Sequence, residues 1–192
     1  MIEAELKFYV QKRDRLLSAL AGYASPRHLL YADQYFNHPS LDFTSRDSEF
    51  RVRAVSENGT ATRTILTYKA DIADTQTQSK SEYEALIASS QSELRRLLEA
   101  MGFVCYIEFE KICEHFEFKR DGRKIAATVV SLKEVPDTFV EIESLVASSA
   151  TVQPELEWLR GFATSLGLAD ADRTTVTYEG MVAQARRKDP KR

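Results

Sequence analysis

Residues 2 to 10 alternate apolar and charged side chains, and the charges fall where a core strand should be apolar. In an extended strand alternate side chains share a face. Glu3, Glu5 and Lys7 therefore point one way, and Ile2, Ala4, Leu6 and Phe8 the other. Taken alone, this is the pattern of a strand with one buried and one solvated face. The pattern returns, however, along the chain. Glu49, Arg51 and Arg53 share a face, as do Arg63, Thr67 and Lys69, then Glu82 and Glu84, then Glu141 and Glu143. So many strands with charges of both signs at i, i+2 are hard to explain as separate wet faces. They are explained if the sheet curls and its charged faces look at one another across a cavity. Such a cavity offers basic groups to phosphate oxygens and carboxylates to a divalent cation.

Turn and cap signals set the element order. A strand over 2–10 leads to a helix over 11–23 with Leu16, Leu17 and Leu20 on its apolar side. Strands are expected over 29–37, 49–56 and 62–70, the last two joined at Asn58-Gly59. The polar stretch 71–80 reads as a loop over the mouth of the site, followed by a strand over 81–88. Ser90 with Glu93 forms a capping-box pattern for a helix over 90–101 that stops at Gly102. Strands over 103–119 and 123–132 flank Asp121-Gly122, and another spans 138–146. Helices are expected over 153–166 and 175–186, leaving 187–192 as a disordered basic tail. Phe8, Tyr35, Phe36, Phe109, Phe116 and Trp158 are read as core, and His28 and His38 as surface groups near strand ends.

Composition bounds the function. At 192 residues, with 43% hydrophobic and 29% charged residues, the chain has the make-up of one globular domain. A net charge of −3 argues against nucleic-acid binding, which draws on a basic surface. No apolar run approaches the roughly 20 residues that span a bilayer, so no membrane partner is expected. The immediate strand leaves no signal-peptide pattern. Cys105 and Cys113 have neither metal spacing nor a disulfide-rich context, so they read as buried inert thiols and the cytoplasm as the expected location.

The ordered set of motifs resembles the CYTH domain, the triphosphate tunnel metalloenzymes, which join class IV adenylyl cyclases, thiamine triphosphatases and inorganic triphosphatases. Glu3-x-Glu5-x-Lys7 matches the family's opening signature. Asp33-Gln34-Tyr35-Phe36, Arg51-x-Arg53, Leu66-Thr67-Tyr68-Lys69, Glu82-Tyr83-Glu84, Glu110-Lys111, Phe139-Val140-Glu141-Ile142-Glu143 and Thr177-Tyr178 follow in the family's order. The resemblance implies an α+β fold: eight mostly antiparallel strands closed into a tunnel, helices outside, in one domain over 1–186. It implies Mg²⁺ or Mn²⁺ held by Glu3, Glu5, Glu141 and Glu143. Phosphate contacts fall to Lys7, Arg51, Arg53, Lys69 and Lys111, with Glu5, Lys7 and Lys69 as catalytic groups. Glu82, Glu84, His115 and Tyr178 are further candidates, and Arg63 reads as a rim charge.

Two departures bear on the reaction. The arginine that many members carry after the lysine is absent, since Ile112, Cys113, Glu114 and His115 follow Lys111. Ser131 stands about where the cyclases place an aspartate metal ligand, and Val135-Pro136-Asp137 replaces a Gly-rich turn. The strand motifs look most like the cyclase branch, which converts ATP to cyclic AMP and pyrophosphate. Hydrolysis of tripolyphosphate, thiamine triphosphate or a nucleotide is the alternative, and a non-catalytic polyphosphate or nucleotide sensor the third reading. Homodimers fit the family, but no stretch of the sequence marks an interface.

Overall fold

The computed structural model describes residues 2–46, 48–72 and 80–189. Eight strands close a barrel: β1 (Ile2–Tyr9), β2 (Arg27–Asn37), β3 (Glu49–Glu57), β4 (Thr60–Ile72), β5 (Lys80–Ile87), β6 (Val104–Arg120), β7 (Arg123–Leu132) and β8 (Thr138–Val146). Every pairing is antiparallel, in the order β5-β4-β3-β2-β6-β7-β8-β1, and Ile2 opposite Ser81 returns β1 to β5. Past Ile2 the two strands diverge, and a two-residue strand, β9 (Arg173–Thr174), takes the open edge of β1 at Lys7 and Phe8. The α+β class and the closed eight-stranded barrel expected from the motifs are thus present, with one extra strand.

The alternation in sequence becomes an inside and an outside. Ala4, Leu6 and Phe8 of β1 join Ala127 and Val129 of β7 and Val140 and Ile142 of β8 in one core. Helices α1 (Arg13–Ala21) and α3 (Val152–Ser165) cover it with Leu16, Leu20, Leu156, Leu159 and Phe162. Helix α2 (Gln91–Ala100) sets Leu94 and Leu98 on Phe36 and Val52. Phe8, Phe36, Phe109 and Phe116 are buried as read from sequence, while Trp158 is half-buried. His28 is exposed, but His38 is half-buried against Phe103.

Helix α4 (Tyr178–Lys188) does something different. Its Tyr178, Met181 and Val182 pack among Tyr35, Phe109, Leu132 and Phe139, side chains of the barrel strands. Arg186 pins it by donating to the Glu108 carbonyl and the Glu134 carboxylate, both at 2.7 Å.

The local signals are realised. Asn58 and Gly59 (φ 50° and 81°), and Asp121 and Gly122 (φ 49° and 78°), are left-handed pairs that suit the twist of two-residue hairpins. The Ser90–Glu93 capping box is complete. Strand bounds shift by a few residues, and β4 and β5 extend into the expected 71–80 loop; its residues 73–79 lie outside the described ones. The last helix starts at Tyr178 rather than 175 because the Thr177 hydroxyl accepts from the Gly180 amide. It also takes in Arg187 and Lys188 from the expected tail; residues 190–192 lie outside the described ones. Both thiols are free. Cys113 is buried, its thiol pushed up to about 12 by burial, whereas Cys105 is only half-buried.

Candidate active site

Register brings the charged faces together. Glu5 lies opposite Glu143 and Lys7 opposite Glu141 on β1 and β8. Asp33 faces Arg53, Tyr35 faces Arg51, and Lys69 faces both Glu49 and Glu82 across neighbouring strands. The barrel interior is a cavity of about 480 Å³, and every residue the sequence marked for the site lines it, including Glu82, Glu84, His115 and Tyr178.

One wall is acidic. Glu3, Glu5 and Glu143 can each place a carboxylate oxygen within 4.8 Å of the other two. Lys69 Nζ donates to Glu3 Oε2 at 2.6 Å and lies 3.5 Å from Glu82. Burial would raise the Glu3 carboxyl, but Lys69 and a hydrogen bond with Glu143 bring it down to about 2. Glu5 goes the other way, raised to about 8 by burial, Glu141 and Glu3. Burial and Glu3 likewise push Glu143 well up. Three carboxyls gathered this closely form a donor set that fits a hard divalent cation, whose binding would displace any proton they share.

Glu141 is not among the three carboxyls within 4.8 Å of one another, although its charge acts on Glu5. Lys7 Nζ lies 3.8 Å from it, and Lys111 and Lys7 hold its carboxyl low against burial. Its observed place is as counter-ion to two lysines. Lys7 also donates to the Val176 carbonyl at 3.1 Å and lies over the Tyr178 ring at 4.3 Å.

The opposite wall is basic. Arg53 donates from Nε and Nη2 to Asp33 at 2.7 and 2.8 Å and lies 4.2 Å over the Tyr31 ring. Lys111 Nζ sits 3.5 Å from Asp33 and 4.6 Å from the Tyr178 ring. Arg51 reaches Asp33 and Glu82 only at 4.0 Å, and its Nε is buried without a hydrogen-bond partner. A buried guanidinium N–H without an acceptor is an uncommon and costly arrangement. The Asp33 carboxyl is held far below its ordinary range: burial opposes this, and Arg53, Lys111 and Arg51 override it. Burial and Arg53 depress Lys111.

Rim residues are less committed. Glu84 accepts from the Thr67 hydroxyl at 3.1 Å and is exposed. His115 meets Thr128 Oγ1 through Nδ1 at 2.8 Å and Glu117 through Nε2 at 3.2 Å. Both ring nitrogens thus have a polar neighbour on the barrel wall. Arg63 is exposed at the lining's edge, as a rim charge should be. Among the described residues, Ser131 does not line the cavity. Sequence reasoning assigned no role to Asp33 or Tyr31. The odd-numbered face Leu29-Tyr31-Asp33-Tyr35 was the available signal, but nothing in the sequence marks which face of β2 turns inward.

The chain belongs to the CYTH domain family, whose pattern matches residues 1–178. Solved structures share its fold over nearly the whole length. The PH1819 protein from Pyrococcus horikoshii is 25% identical, covers 96% of this chain and 99% of its own, and superposes with a TM-score of 0.83. A proposed adenylate cyclase from Vibrio parahaemolyticus is 19% identical, with 95% and 98% covered and a TM-score of 0.80. The Hippeastrum protein HpAC1, a proposed adenylyl cyclase with a dominant triphosphatase activity, is 17% identical, with 95% of each chain covered and a TM-score of 0.63. No curated protein matches the sequence.

Proposed function

We propose that this chain is a metal-dependent enzyme that hydrolyses a triphosphate inside the barrel. One observation carries the reading: the carboxylates of Glu3, Glu5 and Glu143 face a fixed array of cations across a single 480 Å³ cavity. Lys7, Arg51, Arg53, Lys69 and Lys111 balance the roughly four negative charges of a triphosphate, and a closed channel strengthens each contact. Mg²⁺ or Mn²⁺ held by Glu3, Glu5 and Glu143 would supply Lewis-acid polarisation of the phosphate. Water then attacks the terminal phosphorus, and the bond to the bridging oxygen breaks with the diphosphate portion leaving.

Hydrolysis is favoured over cyclisation by what the walls leave for a nucleobase. Tyr31, Tyr35 and Tyr178 are the tyrosine rings of the described lining, and each lies against Arg53, Arg51, or Lys7 and Lys111. The Hippeastrum protein gives a precedent for triphosphatase activity in this fold. Tripolyphosphate, ATP and thiamine triphosphate are the substrates to compare. No helix among the described residues is long and apolar enough to cross a membrane, and the free thiols fit a cytoplasmic enzyme.

Product analysis tests the reading. Purified protein is incubated with Mg²⁺ or Mn²⁺ and, separately, ATP and tripolyphosphate, with Glu5→Gln as control. Orthophosphate from tripolyphosphate without cyclic AMP, lost in the control, is the expected result. Cyclic AMP and pyrophosphate from ATP would make it a cyclase. Binding with no product from either would make it a sensor.

A further inference from the structure

Resting on the triphosphate reading, we propose that Asp33 is the positioning residue of the phosphate site, a carboxylate set behind Arg51, Arg53 and Lys111 that fixes where their free N–H groups point. Asp33 is 1% exposed and does not line the cavity, whereas all three cations do. It lies in the middle of β2, with Arg53 opposite on β3 and Phe109 opposite on β6. Neighbours on both sides thus fix its backbone.

The geometry is that of a clamp. Asp33 takes the Nε–H and one Nη2–H of Arg53 in a two-pronged contact, at 2.7 and 2.8 Å. A guanidinium has five N–H groups, so three remain for a ligand. The Tyr31 ring, 4.2 Å from the guanidinium carbon, closes one face of the plane. Arg53 is therefore held by edge and face at once. The same carboxylate stands 3.5 Å from Lys111 Nζ and 4.0 Å from Arg51 Nη1, close enough to hold both near it without consuming the donors. One negative charge shared by three positive ones leaves the wall cationic.

A carboxylate in an anion site has the wrong sign if charges are merely summed. By Coulomb's law alone, neutralising Asp33 strengthens polyphosphate binding. The clamp predicts the opposite, because three cations without their shared partner repel, splay and must be reordered by the ligand. The two accounts differ in the direction of one measured quantity.

The experiment measures tripolyphosphate binding calorimetrically, in chelator and at fixed ionic strength, for the full chain, Asp33→Asn and Asp33→Glu. Mn²⁺ binding to the Glu3, Glu5 and Glu143 cluster, followed by electron paramagnetic resonance, monitors the fold independently. Asp33→Asn is expected to raise the Kd about tenfold or more although it removes a negative charge, with Mn²⁺ binding retained. Asp33→Glu keeps the charge but moves it, and is expected to weaken tripolyphosphate as well. An unchanged or tighter Kd in Asp33→Asn would overturn the proposal and leave Asp33 as a plain counter-charge. Should Asp33→Asn fail to fold, a wild-type Kd in Asp33→Glu overturns it. A wild-type chain that takes up Mn²⁺ but no tripolyphosphate sinks the triphosphate reading first, and this proposal with it.

Discussion

The wall built from β2, β3 and β6 sets its buried carboxylate among cations, while the wall built from β1 and β8 sets Glu5 and Glu143 among other carboxyls and pairs its Lys7 with Glu141. Asp33 pairs with Arg53 and Lys111, and its carboxyl stays charged despite complete burial. On the facing wall Glu5 and Glu143 lie among Glu3, Glu141 and one another, and burial pushes both toward the protonated form. Burying a charge is tolerated when it is paired and otherwise shifts the group toward neutrality. The basic wall is therefore finished by the fold. The acidic wall is finished by something added to it.

The sharpest break in that comparison comes from Glu5→Gln. Losing several kcal/mol of charge stabilisation from a cation corresponds to about 10³-fold in kcat/KM, read as phosphate release from tripolyphosphate. The basic wall should fail differently: Asp33→Ala leaves buried cations unpaired and is expected to cost about 3–5 kcal/mol in urea unfolding. Glu143→Gln, made on the acidic wall, removes a carboxyl that burial and its neighbours already push toward neutrality, and should cost far less in the metal-free protein. A large loss there would mean that the two walls are held alike.

Titration separates the walls again. Glu5 has its folded pKa raised from 4.5 to about 8, so the stability it contributes is full below pH 4.5 and is lost as pH rises toward 8. The metal-free protein should melt lower at pH 8 than at pH 5, and Mn²⁺ should recover the difference. Asp33 has the opposite sign. Its folded pKa lies below its ordinary 3.8, so its contribution is present above that pH and is lost only on further acidification. A melting temperature flat from pH 5 to 8 would remove the distinction. The smallest effect belongs to the rim: Arg63→Ala should change the KM for tripolyphosphate by less than about threefold, and less still at high salt.

Much of this was legible before any coordinates. The i, i+2 carboxylates of β1 and β8 announced an inward charged face, and the two hairpin dipeptides with the Ser90 cap fixed where elements begin and end. Other features needed register. Glu141 and Glu143 look identical in sequence, yet one faces Lys7 and the other Glu5, so one is a counter-ion and the other joins the carboxylate cluster. Asp33 stands out in the sequence only as part of a motif, because its partner Arg53 is 20 residues away and the two meet only through strand pairing. His115 shares the inward parity of Lys111, but its engagement by Thr128 and Glu117 depends on β7 and on side-chain reach.

Glu3 and Glu5 come from the strand that opens the barrel and Glu143 from the strand that zips against it along its whole length, whereas β1 and β5 meet at Ile2 and Ser81. Pairings so distant along the chain form late, after the hairpins β3–β4 and β6–β7 have made their local contacts. A nascent chain thus acquires Asp33 and its arginines well before it acquires a carboxylate cluster. Metal uptake is then a report on whether the last long seam has closed.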